Sequence, residues 1–266
     1  MKEDREFVTS LARGLSVIHA FDRDNAELTL TEIANRTRLS PATARRFLRT
    51  LQKLGYVGAN GRAFYLQPKV VSLGSAFLAS ARVEEIIQPI LREIVEQAGT
   101  SASLGVYDGD NILIIANFSL KRMVQQTAGP GTRYPIHISS MGRVILADLP
   151  DQQLEKYLKQ IKFRPLTRWT VTDPDELRKR LLEVRRDGYC VTRDEIEEGL
   201  DAVAVPVRIG DDRAIAALNC TAYSRQFDRK KLVKTRLKPL LNAVERVQEA
   251  VRQFPSLAHI FTPPSI

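Results

Sequence analysis

Short amphipathic stretches alternate with polar breaks along the first 67 residues, a pattern typical of a small helical domain. Apolar residues recur at spacings of three and four from Val8 to Phe21, which predicts a first helix over that range. The polar stretch DRDNAEL then predicts a loop. A short second helix is expected after Leu30, with Thr31 as its N-cap, and the residues RTRL that follow are expected to form a turn.

The stretch LSPATARRFLRTLQKLGY, residues 39–56, predicts a third helix with well-marked ends. Ser40 is a common N-cap residue, Pro41 suits the first helical position because its missing N–H has no partner there, and Gly55 is the usual residue after a last turn. The following stretch YVGANGRAFYL has two β-type runs around ANGR, which indicates a hairpin. The order helix, helix, turn, helix, hairpin predicts a winged helix-turn-helix over residues 1–67.

Residues 68–82, PKVVSLGSAFLASAR, predict a linker helix. This helix is apolar on more than one side, which favours contact with a partner chain as well as with its own domain. A helix that faces only its own core is the alternative.

Helical and β patterns are mixed in residues 83–266. VEEIIQPILREIVEQAG predicts a helix despite its proline, and SASLGVYDGDNILIIANF predicts a hairpin that turns at DGDN. RMVQQTAGPGTRYPIHI predicts a strand running into a Gly/Pro loop, and SSMGRVILADL predicts a short helix capped by Ser139 or Ser140. The remaining expected elements are helices near 151–160 and 174–187, the strands YCVTRDE, AVAVPVRI and AIAALNCTAY, and a last helix over about 228–253. This order fits an antiparallel sheet covered by helices, so the fold class is α+β.

Positive charge is concentrated near the third helix. The 266-residue chain has a formal net charge of +9 and a pI of about 9.7, yet no acidic residue occurs between Glu32 and Glu84. That window holds as many basic residues as the whole-chain net charge: Arg36, Arg38, Arg45, Arg46, Arg49, Lys53, Arg62, Lys69 and Arg82. Such a concentrated field points to a polyanionic partner, whereas an evenly scattered excess would indicate a solvated face that favours solubility.

One side of the third helix is apolar on a helical wheel, and the other side is small and cationic. Arginine can bond guanine bidentately, a threonine methyl can contact a thymine methyl, and cations can neutralise phosphates. Thr43 and Arg46 are the expected base contacts, and Arg49 and Lys53 lie nearer to phosphate. An ordinary arginine-rich surface helix is the alternative for this stretch alone. The candidate DNA contacts, which include the wing tip and the start of the second helix as a phosphate site, are Thr31, Ser40, Ala42, Thr43, Arg45, Arg46, Arg49, Lys53, Asn60 and Arg62.

Composition and motifs narrow the remaining classes. A hydrophobic content of 44% and a charged content of 27% are typical of a soluble globular protein of two domains. The charged start MKEDRE and the lack of any apolar run of ~18 residues predict a cytoplasmic protein that contacts no membrane. Two cysteines, Cys190 and Cys220, exclude a disulfide framework.

An enzyme is the rival class. The histidines His19, His137 and His259 are scattered without metal-ligand spacing, and GxSxG, Walker A and GxGxxG motifs do not occur. No base and nucleophile are indicated together, so no catalytic residue, metal or cofactor is expected. A DNA-binding architectural protein without a ligand is a second rival, against which the size of the mixed region 83–266 argues.

Six stretches of the chain match one known family. They are SLARGLSVIHAF, LTLTEIANRTRLSPATARRFLRTLQKLGYV and RAFYLQPKVVSLG in the first half, and IHISSMGRVILADLP, VRRDGYCVTRDEIEEGLDAVAVPV and AIAALNCTAYS in the second. Over essentially its whole length the chain resembles the IclR family of bacterial transcriptional regulators. Through EFVTSLARGLSVIHAF, ATARRFLRTLQKLGYV and EGLDAVAVPV it is most similar to the branch that controls aromatic-acid catabolism through the β-ketoadipate route, the PcaR, PcaU and PobR type.

The resemblance implies a winged helix-turn-helix in residues 1–67, a linker helix in 68–82 and a GAF-like effector-binding domain in 83–266. It also implies a homodimer formed mainly through the N-terminal domains and linker helices, and often paired into a tetramer. Two positions depart from the branch, because Arg38 stands where most members have glycine and Pro41 where many have a charged residue. Both adjoin the recognition helix, so the operator sequence is not carried over.

The resemblance further implies an effector pocket. The N–H groups and dipole of a helix that opens at Ser139 would favour a carboxylate, and Asn219 and Thr221 would supply donors and acceptors from one strand face. Arg133 is a possible charge partner for an acid, although a solvated loop arginine is the favoured alternative. Core packing is the alternative role for Met141 and for His137. The effector-site candidates are Met123, Gln126, Arg133, Ser140, Met141, Gly142, Thr192, Ala202, Asn219 and Thr221.

These patterns together predict a ligand-responsive transcriptional regulator of an aromatic-acid catabolic operon. Its expected partners are a pseudopalindromic double-stranded operator, further copies of the chain, and a small organic acid of the protocatechuate, 4-hydroxybenzoate or β-ketoadipate class. A regulator of a non-aromatic carboxylic-acid pathway is the alternative.

Overall fold

The structure, a computed structural model, describes residues 6–22, 25–98, 100–120, 129–210, 213–223 and 229–261. The chain divides into two compact units, Met1–Phe77 and Leu78–Ile266, here called the N-terminal and C-terminal units. The division falls inside the predicted linker, residues 68–82. No helix in the described part of the chain combines the length and the apolar character that a membrane span requires.

The N-terminal unit contains the three expected helices and the expected hairpin, together with one further strand. Its elements are α1 (Thr9–Ile18), β1 (Glu27–Thr29), α2 (Leu30–Thr37), α3 (Pro41–Lys53), β2 (Val57–Asn60) and β3 (Ala63–Leu66). The sheet order is β1-β3-β2, so β1 pairs with the outer edge of the hairpin. The prediction of a loop for all of DRDNAEL is therefore wrong at its end, where buried Leu28 lies opposite Phe64.

The caps of α2 and α3 explain where these helices begin. Thr29, not Thr31, is the N-cap of α2: its hydroxyl accepts from the Glu32 N–H, and the Glu32 carboxylate accepts from the Thr29 N–H at 2.7 Å. This reciprocal pair is a capping box, so the prediction for Thr31 as the cap is wrong. Ser40 caps α3 as expected, since its hydroxyl accepts from the Thr43 N–H.

The turn between α2 and α3 passes through Arg38, whose φ of 55° lies in the left-handed region. This conformation places the Cβ of an L-residue close to the following carbonyl and favours glycine. The departure from glycine noted at this position therefore puts a side chain where the backbone geometry suits none.

A helical segment follows the wing and crosses from one unit into the next. It comprises a 3₁₀ turn at Pro68–Val70, α4 (Val71–Ser80), a wide π turn at Val83–Ile87 and α5 (Gln88–Ala98). The predicted linker helix and the predicted helix of VEEIIQPILREIVEQAG are thus both present. The wide turn lies directly before Pro89, whose ring and missing N–H disrupt ordinary helical bonding to the preceding turn.

The C-terminal unit is built on one six-stranded antiparallel sheet of order β6-β5-β4-β9-β8-β7. Its strands are β4 (Ser101–Asp108), β5 (Asn111–Ser119), β6 (Arg133–Pro135), β7 (Cys190–Arg193), β8 (Leu200–Val207) and β9 (Ala216–Tyr223). Its further helices are α6 (Ser140–Ala147), α7 (Asp151–Gln160), α8 (Pro174–Asp187) and α9 (Arg229–Gln253). The prediction of an α+β domain with an antiparallel sheet is confirmed.

The two faces of this sheet carry two separate cores. On one face, Val203, Val205 and Leu218 pack in a core with residues of α5 and α9. On the other face, Ala204 and Ala217 pack with residues of α6, α7 and α8. Because side chains alternate along a strand, neighbouring residues of β8 and β9 serve different cores. The effector-site candidates on these strands, Ala202, Asn219 and Thr221, share the α6 face.

Candidate nucleic-acid interface and effector cavity

The amphipathic division of α3 is as the helical wheel predicts. Ala44 and Leu48 are fully buried, and Leu51 is nearly so. The candidates on the opposite side are solvent-exposed: Ala42, Arg45, Arg46, Arg49 and Lys53. The apolar row anchors the helix in the N-terminal unit, which leaves a cationic row free for a partner.

The cationic side of α3 consists of two rows rather than one. Arg45 and Arg49 line a groove together with Thr31 and with Arg62 of the wing turn. This groove, the wing groove, is completed by Thr29, Leu30, Leu48, Gln52 and Phe64. Arg46 and Lys53 do not line it and form the second row, since residues seven apart lie on nearly the same side of a helix. Asn60, at the end of β2, is exposed beside the wing turn.

Four arginines of this surface have no acidic partner. Within the described part of the chain, no ion pair or hydrogen bond involves the side chains of Arg45, Arg46, Arg49 or Arg62. In the C-terminal unit, by contrast, arginines are held in ion pairs such as Arg208–Asp148. Uncompensated guanidinium groups on one face are suited to phosphates and to base edges.

The N-terminus of α2, which was expected to bind a phosphate, carries an acidic side chain of its own. The Glu32 carboxylate lies there and accepts hydrogen bonds from the backbone and the side chain of Thr29, which lower the pKa of this carboxyl. The Thr29 hydroxyl already accepts from the Glu32 N–H, and the Glu32 carboxylate adds negative charge at this helix end. The anion site on the N–H groups of residues 31–33 stays a prediction. Thr31 retains its place in the wall of the wing groove.

The side chains of Ser40 and Thr43 form a hydrogen bond with each other. Their hydroxyl oxygens lie 2.8 Å apart, and Thr43 is only half-exposed. A hydroxyl held in this way is fixed in position at the start of α3. The methyl group of Thr43 is not engaged in this contact, so it is the part of the side chain best suited to the predicted contact with a base.

A cavity, here called the sheet cavity, lies on the α6 face of the C-terminal sheet. The space in it that is open to the centre of a water molecule is about 50 Å³. Its lining residues are Ser101, Ser103, Ile114, Asn117, Tyr134, Ser139, Met141, Thr192, Ile196, Leu200, Ala202, Asn219 and Thr221. No charged side chain lines it among the described residues. Its lining mixes polar groups with apolar ones such as Ile114, Met141 and Leu200, the usual make-up of a small-molecule site.

Five of the effector-site candidates line this cavity: Met141, Thr192, Ala202, Asn219 and Thr221. Ser140 does not, and its neighbour Ser139 takes that place, while the Ser140 hydroxyl is buried without a partner in the described residues. Met123 and Gln126, with the strand predicted around them, lie outside the described residues.

Gly142 and Arg133 have other surroundings than expected. An added Cβ on Gly142 would lie 1.9 Å from the carbonyl oxygen of Ile136, so this glycine permits a close backbone contact and faces no ligand. Arg133 lies on strand β6, where its Nε donates to the Asp108 carboxylate at 2.7 Å. Neither residue lines the sheet cavity.

The polar floor of the cavity includes residues that sequence reasoning missed. The amide nitrogen of Asn117 lies 2.9 Å from the Oγ of Ser101, 2.9 Å from the Oγ of Ser103 and 3.2 Å from the Ala102 carbonyl oxygen, and it shares its two hydrogens among these three acceptors. The Ser103 N–H in turn donates to Oδ1 of Asn219 at 3.1 Å. A continuous hydrogen-bonded row therefore crosses β5, β4 and β9. The alternating serines in SASLG indicate a polar strand face, but only the strand register shows which residues of β5 and β9 lie beside them.

Behind the cavity wall, Arg143 and Glu195 form a buried ion pair. The guanidinium donates to both carboxylate oxygens at 2.6 and 2.5 Å, and its Nε donates to the His137 carbonyl at 2.8 Å. His137 is itself buried, and burial together with Arg143 lowers the pKa of its imidazole to about 4. His137 packs edge-on against Phe163 and does not line the cavity, so it is a core residue.

Comparison with known proteins gives the identity of both units. Residues 10–61 match the model of the IclR helix-turn-helix domain, and residues 75–249 match that of the bacterial transcriptional regulator IclR C-terminal domain. The chain is 38% identical to the Pca regulon regulatory protein of Pseudomonas putida over 91% of its own length and 84% of that protein. It is 31% identical to the p-hydroxybenzoate hydroxylase transcriptional activator of Acinetobacter baylyi, over 92% of its own length and 93% of that protein.

Solved structures agree with these matches. The structure of a transcriptional regulator from Rhodococcus sp. RHA1 is 38% identical in sequence and has a TM-score of 0.76. The match covers 93% of this chain and 99% of that one. The inducer-binding domain of a PobR double mutant from Acinetobacter, in complex with 3-hydroxybenzoic acid, is 27% identical, with a TM-score of 0.57 and coverage of 62% and 96%. The curated relatives are named as regulators and not as enzymes, which confirms that expectation. The chain belongs to the IclR family of bacterial transcriptional regulators, in the branch that contains the Pca and PobR regulators.

Proposed function

We propose that this regulator binds a pseudopalindromic operator through α3 and the wing, and that a small aromatic acid in the sheet cavity controls this binding. The observation that carries the DNA part is the set of four arginines without acidic partners on α3 and the wing turn. Arg45, Arg49 and Arg62 are directed to one groove and are suited to a run of phosphates. Arg46 lies in the other row and is the base contact of this proposal.

The acting form is a dimer, which places two α3 helices in successive major grooves. Support comes from large apolar side chains that the N-terminal unit leaves exposed: Phe7 and Leu11 near and on α1, and Val71, Leu73 and Phe77 on α4. Leu11 is 63% exposed and Val71 is 73% exposed. Apolar groups in such number on one small unit are typical of a surface that a second copy covers. Pairing of dimers into a tetramer is part of the same proposal.

The ligand is a hydroxybenzoate-type acid such as protocatechuate or 4-hydroxybenzoate; β-ketoadipate, an aliphatic acid of the same route, is the alternative. Two comparisons support this class, namely the relative named for p-hydroxybenzoate hydroxylase and the PobR domain in complex with 3-hydroxybenzoic acid. In this chain the cavity offers Ile114, Met141 and Leu200 to a ring and a polar floor to a carboxylate. A ligand that binds one of two conformations more tightly shifts the population toward it, which alters operator affinity.

The DNA arm of the test uses fluorescence anisotropy of the full-length protein on the DNA upstream of its own gene, over a series of salt concentrations. Arg46→Ala should weaken binding by at least about tenfold, because a good arginine–base contact contributes ~1–3 kcal/mol. Arg168→Ala is the matched control, since Arg168 is an exposed arginine of the C-terminal unit paired with Glu198. Wild-type operator affinity and salt slope in Arg46→Ala would overturn the assignment of α3.

The effector arm measures thermal stabilisation by a panel of aromatic and keto acids, and then repeats the DNA titration with each acid that binds. A ligand at about 100 times its Kd should stabilise the protein by about 2.7 kcal/mol. Asn219→Leu combined with Thr221→Val should abolish the response, because both residues line the cavity. An unchanged response would place the effector elsewhere, and stabilisation only by aliphatic acids other than β-ketoadipate would favour a regulator of a non-aromatic pathway.

A further inference from the structure

We infer that Asn117 is a positioning residue that makes the sheet cavity selective for an anionic ligand, by holding the hydroxyls of Ser101 and Ser103 as hydrogen-bond donors. This inference rests on the proposed function, since it concerns the same cavity and the same class of acid. Asn117 and both serines line the cavity. None of the three was among the residues that the family resemblance carried over.

The orientation of the Asn117 amide is fixed by its neighbours. Its nitrogen lies 3.2 Å from the carbonyl oxygen of Ala102, which can only accept a hydrogen bond. If the amide were turned over, two oxygen acceptors would face each other, so the nitrogen must lie on this side. The same nitrogen lies 2.9 Å from the Oγ of Ser101 and of Ser103.

This orientation determines what the two serines can do. An amide nitrogen donates and does not accept, so neither hydroxyl can give its hydrogen to Asn117. No other acceptor for these two hydroxyl hydrogens occurs among the described residues, and both side chains are almost wholly buried. The hydrogens therefore remain available to a group inside the cavity. Asn117 thus converts two groups that could donate or accept into two donors.

Asn219 adds to the same donor array. Its Oδ1 accepts from the Ser103 N–H at 3.1 Å, which fixes this amide as well. The remaining group of Asn219 on the cavity side is then its Nδ2, which carries two hydrogens and has no partner in the described part of the chain. Three neighbouring side chains on β4 and β9 therefore present donors to one region of the floor.

A floor of donors discriminates between an acid and its amide. A carboxylate offers only acceptors and satisfies the array, whereas a carboxamide of the same shape brings an NH₂ group against donors and leaves buried groups unpaired. No cation among the described lining residues is needed for this preference. The charge of the ligand is instead stabilised by oriented hydrogen bonds, which are stronger when one partner is ionised.

The experiment measures affinities by calorimetry for protocatechuate and 4-hydroxybenzoate and for their two carboxamides. It uses the full-length wild type, Asn117→Ala, Ser101→Ala/Ser103→Ala, and the triple variant. Asn117→Ala should lower the acid-to-amide affinity ratio about tenfold, the size of one charge-assisted hydrogen bond. The double serine variant should lower it at least as much, and the triple variant should change it less than twofold further, because Asn117 acts through the serines.

The controls separate this role from a structural one. Thr192→Val also removes a cavity hydroxyl, but it lies on β7 outside the Asn117 hydrogen bonds and should preserve the ratio. The double serine variant removes only two hydroxyls and remains decisive if Asn117→Ala fails to fold. An unchanged ratio in either variant, or an equal further loss in the triple variant, would overturn the inference while the proposed effector stands. Failure of the wild type to bind either acid would instead overturn the proposed effector class.

Discussion

Replacing Arg143 by leucine should destabilise the C-terminal unit strongly, because it leaves the Glu195 carboxylate buried without its main partner. Arg143 and Glu195 are 1% and 2% exposed. In the variant, the carboxylate keeps only the Val171 N–H at 3.2 Å and the Arg180 guanidinium at 3.6 Å, and the His137 carbonyl loses the Arg143 donor. Three of the hydrogen bonds that fix this region are lost in one substitution.

The size of the effect follows from the burial of the pair. Removing one partner of a buried ion pair costs about 3–5 kcal/mol, because the other charge remains desolvated. In a unit of this size each kcal/mol lowers the Tm by roughly 2–4 °C, so the expected decrease is about 6–20 °C. The double variant Arg143→Leu/Glu195→Leu removes both charges. It should recover more than half of the loss, since well-packed apolar residues often replace such pairs at little net cost.

The assay is thermal unfolding of the full-length protein followed by calorimetry and near-UV circular dichroism. The matched control is Arg168→Leu, which breaks an ion pair with Glu198 whose side chains are 72% and 59% exposed. Exposed pairs contribute little, so this variant should unfold near the wild-type temperature. The reasoning is refuted if Arg143→Leu behaves like Arg168→Leu, or if the double variant is as unstable as the single one.

Burial lowers the pKa of His137 to about 4, below the ordinary value of 6.5, so the unfolded chain binds a proton in this range and the folded unit does not. The folded unit should therefore lose stability as the pH falls from 6.5 toward 4, with a difference of about 2 kcal/mol between pH 7.5 and pH 5. Urea unfolding at the two pH values checks this, and an equal pH dependence in His137→Gln would contradict it. Gly142→Ala should cost about 1–3 kcal/mol or more, because the new Cβ meets the Ile136 backbone, and should weaken effector binding by displacing the start of α6. Gly14→Ala on α1, whose new Cβ would lie at an ordinary 3.7 Å from the Phe47 ring, is the control and should be neutral or stabilising in the same thermal scan.

Local signals in the sequence were sufficient to predict most helices and strands of the N-terminal unit. Periodicity, a serine cap and a proline at the first helical position located α3 because each acts within one turn of the chain. The cap of α2 was also readable, since Thr29 is followed three residues later by Glu32, whereas Thr31 lacks that partner. Strand β1 was not readable, because three residues become a strand only by pairing with distant β3.

The sheet cavity shows why site residues are harder to predict than elements. Alternation along β4 puts Ser101 and Ser103 on one face, but it does not say which residue of β5 lies opposite. The register sets Ser103 opposite both Asn117 and Asn219, and this register is a property of three strands together. The family resemblance supplied Asn219 and Thr221 on β9 but nothing on β4 or β5. The family resemblance also supplied Gly142, which does not line the cavity and instead admits the Ile136 carbonyl.

The two units differ in how they treat arginine, and this difference bears on both binding functions. In the C-terminal unit, arginines are engaged by acids, as in Arg143–Glu195 and Arg178–Glu155. A guanidinium that is already paired attracts an acid ligand weakly, and no charged side chain lines the sheet cavity among the described residues, so the proposed carboxylate would be bound through oriented neutral donors. In the N-terminal unit, the acid-free window leaves Arg46 and Arg49 uncompensated. In the proposed function, these uncompensated arginines serve DNA, and a small acid in the sheet cavity would not compete with phosphates for the same cations.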